Sequence, residues 1–453
     1  MEWYWILTLG IAILVALFLT GAPIFLAFFI IIVSGVISLL GNTEEGIVSF
    51  AFWFENPAFG MVANSIYETA TTASLGTVPL FILLGEILFR SGCMEVLLDS
   101  IDKLVGRIKG RQYVLSISLS TVLGALSGSA IAVGAMLGRS LLPIMRNRGY
   151  DTKLSIGTIL AGACLAPIIP PSILAIIVGT LADVSIASLL IAGVLPGLLL
   201  AGMFVSACLI KVKLDPSLAP EDEEGESIDI KGKLKAVAGL LPFTVIIFMV
   251  MGLIMLGVAT PSESAATGVL GAILTAAYYK RLSFKMMFEA VGEAALLASV
   301  ILLILCSAVM FTQLLAFTGA TSALTEVVTS LDVNRWVMFF ILMALPFVLC
   351  MFIDQLGLML IVVPIYLPIL KALEFDPVWF WLLFLLNITL GAITPPFGYV
   401  MFAVKAAAED VSMGEIFSAS WLFVGLTLIG MVIMTIFPEI VTFLPNLADS
   451  LSQ

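Results

Sequence analysis

Long apolar runs separated by short polar stretches dominate the chain of 453 residues. A helix needs roughly 20 apolar residues to cross a bilayer core about 30 Å thick. The pattern therefore predicts an all-α polytopic membrane protein, with room for about ten to fourteen crossings. Residues 4–40 are predicted to form two helices that break at Gly21-Ala22-Pro23. Further crossings are predicted at 154–181, 186–210, 236–257, 264–280, 286–318, 378–404 and 417–444.

Lys and Arg mark the cytoplasmic side of a membrane protein, so their positions fix the side on which each crossing ends. Two other apolar runs then begin and end on one side of the membrane. The run 112–145 has basic clusters at both ends and is too short for two full crossings. We therefore expect a re-entrant hairpin that enters from the cytoplasm. The run 336–370 is predicted to be a second hairpin, entering from outside. In this predicted topology, 18 of the 20 Lys and Arg residues lie on or near the cytoplasmic side. The two exceptions are Arg335 and Lys371, which flank the second hairpin.

The two halves of the chain share one order of motifs. In the first half, the polar tip at Ser127 is followed by Pro170-Pro171, and in the second half Asp354 is followed at nearly the same distance by Pro395-Pro396. Each half thus offers a hairpin and a helix that the prolines interrupt. Because the hairpins enter from opposite sides, the repeat is inverted, as in secondary transporters that bind substrate and ions near the membrane midplane. The alternative is a chance alignment of Gly and Pro, which are common in membrane helices.

This organisation divides the chain into five predicted parts. The polar loop 211–235 is predicted to be a cytoplasmic linker, and segment 41–76 an interfacial arm. The parts are 1–76 with the N-terminal scaffold helices and the arm, 77–210 with the first repeat (hairpin 112–145, broken helix 154–181), the linker 211–235, 236–416 with the second repeat (hairpin 336–370, broken helix 378–404), and 417–453 with a C-terminal scaffold helix and tail.

Composition narrows the function classes. Hydrophobic residues make up 61% of the chain and charged residues 11%, far from the balance of a soluble domain. Histidine is absent from the sequence, which excludes haem ligation, imidazole zinc sites and serine–histidine proteolysis. The sequence also lacks a Walker A motif, and its net charge of −11 gives no support to nucleic-acid binding. We therefore expect a membrane protein in contact with lipid, and no enzyme.

The first hairpin tip, with Ser127 and Ser129, faces the break 166–172 in the predicted repeat. Broken backbone at membrane depth occurs only where it is buried in protein or lines a cavity. Hydroxyls and freed carbonyls are hard oxygen ligands, which suit a cation such as Na⁺. The alternative is that Gly124 and Gly128 form only a close-packing motif.

The second tip places the carboxylate of Asp354 inside an apolar hairpin. An acid in the membrane costs roughly 2.5–3.5 kcal/mol, so it indicates a functional site by default. With Thr394 and the freed carbonyls of the break 391–398, Asp354 would form a second cation site, and Asn387 is expected to line the same cavity. The alternative is a tip carboxylate that simply reaches water.

Three other charged residues are assigned structural roles. Glu86 lies in an apolar helix, and Glu263 follows a proline and is expected to cap the next helix. Arg139 is expected to extend its charge to the membrane surface rather than to bind substrate. The five cysteines lie in apolar segments without close pairing and are predicted to be small buried hydrophobic residues.

Several segments together resemble the large membrane subunit of tripartite ATP-independent periplasmic (TRAP) transporters. They are TVPLFILLGE, SGSAIAVGAMLGRSLLPIMRNRGYD, LAPIIPPSILAIIVG, LIAGVLPGLLLAG, GVATPSESAATG and NITLGAITPPFGYVMFAV, and they cover most of the chain in order. The resemblance implies a sodium-driven elevator transporter in the bacterial inner membrane. It also implies three partners: a small membrane subunit of about four helices, a periplasmic substrate-binding protein and an organic acid substrate.

The same resemblance implies site residues. It places sodium at Ser127, Ala166, Ile169 and Pro171, and again at Asp354, Gly391, Thr394 and Pro396. We expect the organic anion to lie between the two tips, in contact with Ser129, Ser172, Asn387 and Pro395. The chain departs from the family pattern at Ala166-Pro167, where many members have Gly and an aliphatic residue, and at Arg139, where a small residue is expected.

Two other functions remain open from the sequence. A stand-alone sodium–dicarboxylate symporter would purify as a homodimer, whereas a TRAP subunit would bring a small four-helix protein with it. A channel or a structural membrane component would show no sodium dependence and little effect of Asp354→Ala. In the interpretation that we favour, 1–76, 186–210, 236–280 and 417–444 form a fixed scaffold, and the hairpins with their broken helices move.

Overall fold

The computed structural model describes residues 3–40, 57–105, 108–220, 230–331 and 333–451, and every regular element in these ranges is helical. The first half contains α1 (Trp3–Leu19), α2 (Ile24–Leu40), α3 (Pro57–Thr71), α4 (Thr77–Arg90), α5 (Cys93–Val105), α6 (Arg111–Ser127), α7 (Ala130–Asn147), α8 (Thr152–Leu165), α9 (Ile173–Leu181), α10 (Ile186–Ala192) and α11 (Val194–Leu214). Short 3₁₀ turns occupy Ala73–Gly76 and Pro216–Leu218.

The second half contains ten α-helices within the described ranges. They are α12 (Ile230–Met255), α13 (Pro261–Tyr278), α14 (Phe284–Phe317), α15 (Ala320–Ser330), α16 (Arg335–Leu349), α17 (Gln355–Leu373), α18 (Pro377–Gly391), α19 (Tyr399–Ala407), α20 (Met413–Ile436) and α21 (Glu439–Leu451).

Helices α8 and α18 form the centre of the molecule. Every residue from Leu154 to Leu165 is buried in α8, and every residue from Trp379 to Gly391 is buried in α18. A helix that is apolar all round is either buried in the core of a protein or surrounded by lipid, and burial of every residue shows that neighbouring helices cover α8 and α18 over these ranges. Helices α6, α7 and α20 pack on α8, whereas α16 and α10 pack on α18. The interrupted helices are therefore the core of the fold.

Each central helix ends four or five residues before a Pro-Pro pair and is followed by a second, shorter helix. Pro170-Pro171 separates α8 from α9, and Pro395-Pro396 separates α18 from α19. Proline lacks a backbone donor and its ring clashes with the preceding turn, so two in succession end a helix. The Ser172 hydroxyl then accepts a hydrogen bond from the Ala175 amide at 3.1 Å and starts α9. The breaks thus leave non-helical backbone inside the core.

A two-residue connection joins α6 and α7 into an antiparallel pair. Gly128 has φ +61° and ends α6 in the left-handed conformation that glycine tolerates. Ser129 caps α7, its hydroxyl accepting from the Ala132 amide at 3.3 Å. In the second half, residues 350–354 connect α16 to α17, and the Asp354 carboxylate caps α17 by accepting from the Leu356 amide at 2.9 Å.

Several element bounds differ from those expected from the apolar runs. Both ends of the polar stretch 211–235 are helical, because α11 continues to Leu214 and α12 begins at Ile230; residues 221–229 lie outside the described ranges. The apolar run 417–444 contains two helices, α20 and α21, since Pro438 cannot continue the first. Within the expected arm 41–76, residues 41–56 lie outside the described ranges and the rest form α3 and a 3₁₀ turn.

Five helical runs in the described ranges are long and apolar enough to cross a membrane, judged by length and composition. A sixth results if 63–71 and 74–90, which meet at an angle of 61°, count as one span. The predicted crossings 154–181 and 378–404 are instead divided by the proline breaks. The five runs are 186–214, 232–255, 284–317, 355–373 and 413–436.

Candidate functional site

A cavity of about 890 Å³ lies where the two hairpin tips meet the middle of the molecule. Ser127 and Ser129 line it from the first tip, and Asp354 lines it from the second. One face of α7, Pro167 and parts of α4, α9, α14, α17 and α19 complete the walls, which are mostly apolar. A cavity with a few convergent polar groups in apolar walls is typical of a ligand-binding site.

The first tip is pressed against the break that follows α8. A Cβ atom on Gly124 would lie 2.7 Å from the Ala166 Cα atom, and a Cβ on Gly128 would lie 3.0 Å from the Pro171 carbonyl oxygen. Only glycine permits backbone to approach backbone this closely. The Ser127 hydroxyl accepts from the Ser129 amide at 3.4 Å, which keeps it within the turn that faces the cavity.

The first break is held by the buried Ser172. Its hydroxyl donates a short hydrogen bond to the Pro167 carbonyl, which spans the break. Pro167 itself lines the cavity, whereas Ala166, Ile169 and Pro171 lie behind it. The Ser172 side chain therefore serves the shape of the break, and any ligand contact there falls to backbone carbonyls.

The second tip is joined to the end of α18. The Gln355 side-chain amide donates to the Ile388 carbonyl at 3.0 Å, and the Cys350 thiol donates to the same oxygen at 3.1 Å. A Cβ on Gly391 would lie 2.5 Å from the Cys350 Cβ, so the tip and the helix end touch directly. Asp354 consequently lies beside the second break, with its carboxylate at the cavity.

Two polar residues predicted for the second break lie in the core. Thr394 is fully buried and its hydroxyl donates to the Leu390 carbonyl at 2.7 Å. Asn387 is 2% exposed, and its amide donates to the Met343 carbonyl at 2.6 Å, which ties α18 to α16. Both side chains stabilise helices that position the tip.

The structure thus divides the predicted site residues into two groups. Ser127, Ser129 and Asp354 come together around one cavity, although they belong to opposite halves of the chain. The other predicted residues do not line that cavity. Seven of them are buried around it: Ala166, Ile169, Pro171, Ser172, Asn387, Gly391 and Thr394. Pro395 is half-buried and Pro396 is exposed.

Both acids that were assigned structural roles, Glu86 and Glu263, have partners that explain them. The Glu86 carboxylate is 2.8 Å from the Arg90 guanidinium, and Arg90 also lies 3.5 Å from Glu289 and from Glu293 on α14. Glu263 forms a reciprocal capping box with Thr260 at the start of α13, as predicted. A backbone hydrogen bond from Thr260 lowers the pKa of Glu263.

Arg139 and Tyr399 line the cavity, although neither was predicted to do so from the sequence. Arg139 was expected at the membrane surface; in the structure it lies on the same face of α7 as Ala132, Ala135 and Met136. The signal was present in the sequence, because three- and four-residue spacing places these positions on the helix face that descends from Ser129.

All-helical architecture, high hydropathy and broken helices around a central cavity define a membrane transport protein. The family model for the DctM component of tripartite ATP-independent periplasmic transporters matches residues 11–440. The chain belongs to this family, which confirms the resemblance noted in the sequence motifs. Its relatives are transport permeases and not enzymes.

Three relatives illustrate the similarity. The sialic acid TRAP transporter permease SiaT of Haemophilus influenzae is 31% identical over 82% of this chain, which spans only 59% of the length of SiaT. The ectoine/5-hydroxyectoine large permease UehC of Ruegeria pomeroyi is 27% identical over 95% of this chain and 100% of its own. The C4-dicarboxylate large permease DctM of Pseudomonas aeruginosa is 27% identical over 85% of this chain and 89% of its own.

Two solved structures share the fold. The YdaH transporter of Alcanivorax borkumensis superposes with a TM-score of 0.65 at 13% identity, covering 92% of this chain and 98% of its own. MtrF of Neisseria gonorrhoeae superposes with a TM-score of 0.61 at 14% identity, covering 91% of this chain and 94% of its own. At these identities the likeness concerns the fold alone.

Proposed function

We propose that the protein couples sodium entry to the uptake of an organic acid across the bacterial inner membrane. In this proposal it is the large subunit of a TRAP transporter, working with a small membrane subunit and a periplasmic substrate-binding protein. Relatives named for sialic acid and for C4-dicarboxylates support a substrate that carries a carboxylate. Co-purification of a small membrane protein from the native membrane would support the tripartite assembly, and a homodimer alone would favour a stand-alone symporter.

The observation that carries the proposal is the meeting of both tips at one cavity. Ser127 and Ser129 supply hydroxyl oxygens and Asp354 supplies a carboxylate, all on its wall. Oxygen ligands of this kind suit a hard cation such as Na⁺. The nearby breaks leave backbone carbonyls without helical donors, and these could complete the coordination. An organic anion in the same cavity would be held partly by the charge of the bound sodium.

The packing of the tips suggests how binding could drive movement. Each tip touches the break of its own half, at Gly128 and Pro171 in one case and at Gly391 and Cys350 in the other. A cation bridging tip and break would lock each hairpin to its central helix. The hairpins and central helices would then move as one body against the remaining helices, as in an elevator mechanism, once both sites are filled.

Thermal unfolding of the purified protein in sodium, compared with potassium or choline at equal ionic strength, tests the sodium sites. A ligand that binds only the folded state stabilises it by RT ln(1 + [L]/Kd), about 2.7 kcal/mol at a hundredfold excess over Kd. We expect a sodium-specific rise in Tm that Asp354→Asn and Ser127→Ala reduce. Equal Tm values for the wild type in all three salts would contradict sodium coupling.

Asp354→Asn is the sharper variant, because asparagine still caps a helix and only the charge is removed. Asp376→Asn is its matched control. Asp376 caps α18, its carboxylate accepting from the Trp379 amide at 2.8 Å, and it does not line the cavity. We expect the control to retain the full sodium effect. A control that loses as much of the sodium effect as Asp354→Asn would refute the placement of sodium at the tip.

A further inference from the structure

Three charged side chains line the cavity within the described part of the chain, and only one of them is a cation. Glu86 is held by Arg90 at 2.8 Å, and Asp354 caps α17. The Arg139 side chain has no hydrogen bond and no ion pair with any described residue. It is therefore a positive charge at the cavity that the described chain leaves without a counterion.

The surroundings of Arg139 favour an anionic ligand. The face of α7 between the tip and this residue carries small or apolar side chains, at Ala132, Ala135 and Met136. The Arg139 side chain is exposed, so solvent screens part of its charge, and the apolar wall beside it strengthens the attraction to an anion relative to open water. The guanidinium presents a planar fork of donors that matches a carboxylate bidentately. A carboxylate is thus the ligand group that this position would take.

The position of Arg139 along α7 sets the length of that ligand. Ten residues separate it from Ser129, which corresponds to about 15 Å along the helix. Side chains in a helix lean toward its N-terminus, so an arginine at this position can reach toward the tip and shorten this gap. At the tip, the N-terminus of α7 and the proposed sodium ions also attract negative charge. The cavity therefore offers attraction for an anionic group at each end.

We propose that Arg139 binds one carboxylate of the transported acid while a second anionic group lies at the hairpin tips, so that the protein selects dicarboxylates over monocarboxylates. This inference rests on the proposed function, and it narrows the substrate class within it. Lysine would keep the charge but lose the bidentate fork, and glutamine would lose the charge.

The test is substrate-dependent thermal unfolding of the purified protein at fixed sodium concentration and ionic strength. The probes are succinate, glutarate and adipate, each paired with the monocarboxylate of equal carbon number: butyrate, valerate and hexanoate. We expect at least one dicarboxylate to raise the Tm of the wild type more than its partner does. We expect R139Q to weaken the apparent affinity for that dicarboxylate at least about tenfold, as for the loss of a charged hydrogen bond. The affinity of R139K should lie between those of the wild type and R139Q.

R148Q is the matched control, because Arg148 ends the same helix, is exposed and does not line the cavity. It should bind the dicarboxylate like the wild type. If R139Q fails to fold, the affinity of R139K for the dicarboxylate is compared with that of the wild type instead. Three results would overturn the proposal. The first is an equal affinity for the dicarboxylate in the wild type and the Arg139 variant, the second is equal binding of the paired acids, and the third is no effect of any dicarboxylate on the wild type.

The sodium effect keeps the two proposals apart. R139Q should retain the sodium-induced rise in Tm, which also shows that the variant is folded. A wild type that responds to dicarboxylates and not to sodium would contradict sodium coupling and leave Arg139 as the anion-binding residue. A wild type that responds to sodium and to no acid would contradict the role of Arg139 and leave the sodium proposal standing.

Discussion

The contact between the first hairpin and the first break makes a sharp prediction for Gly124→Ala. A methyl group on Gly124 would lie 2.7 Å from the Ala166 Cα atom, 3.0 Å from its Cβ and 3.3 Å from its backbone nitrogen. These neighbours belong to backbone in the core and cannot rotate away. Helix α6 would have to move off the break, taking the tip at Ser127 with it.

Two opposing effects set the change in stability that Gly124→Ala causes. Replacing glycine by alanine inside a helix gains about 1 kcal/mol of intrinsic stability. Overpacking a well-packed core costs about 1–3 kcal/mol. Because the clash is with backbone, we expect the second effect to win, and the Tm of Gly124→Ala to fall below that of the wild type. The sodium effect should weaken as well, since the tip and the break no longer meet as before.

Gly202→Ala isolates the contact from the change in helix propensity. Gly202 lies inside α11, and a Cβ there would meet no atom within 4 Å. This variant should be at least as stable as the wild type, and the difference between the two variants, about 1–3 kcal/mol, measures the clash. Thermal unfolding in one detergent, with and without sodium, gives both values. A Gly124→Ala protein as stable as Gly202→Ala would refute the close approach of hairpin and break.

Two further predictions concern helix ends outside the cavity. Ser412→Ala should lower the free energy of unfolding by about 1 kcal/mol, because it removes the capping box with Glu415; Ser418→Ala, whose hydroxyl only donates within its own helix, is the control. The Arg146 guanidinium, 2.5 Å from Asp410, lowers the pKa of Asp410. The pair therefore stabilises the fold above the ordinary aspartate pKa of about 3.9 and loses this effect as pH falls through the lowered value. Asp410→Asn should remove that part of the acid sensitivity, measured as the fall in Tm between neutral and acidic pH; an unchanged fall would contradict the assignment.

Local chemistry determined the breaks and the tips. Proline and glycine restrict the backbone through their own covalent structure, so Pro170-Pro171, Pro395-Pro396 and Gly128 end helices in the structure where the sequence pattern ended them. Two polar tips in opposite halves were likewise visible from the sequence, because an acid or a pair of hydroxyls stands out in an apolar run. The capping role of Glu263 followed from the same local rules.

The orientation of side chains depended on tertiary contacts. Arg139 faces the cavity, while Ser172 and Asn387 hold the backbone of the core, although both were predicted to touch substrate. All three lie in or beside apolar helices, whose composition does not say which face a neighbour covers. Residues far away in the chain determine which face is covered. For example, α19 packs against one face of α7, and the opposite face of α7 lines the cavity.

The sequence by itself determined the two proline breaks and the two polar tips, because the backbone restrictions of proline and glycine act between neighbouring residues. Only the tertiary structure brought Ser127 and Asp354 to one cavity and added Arg139 to its wall. The packing of two halves distant in sequence sets the rotation of each helix, and that rotation decides which side chains meet.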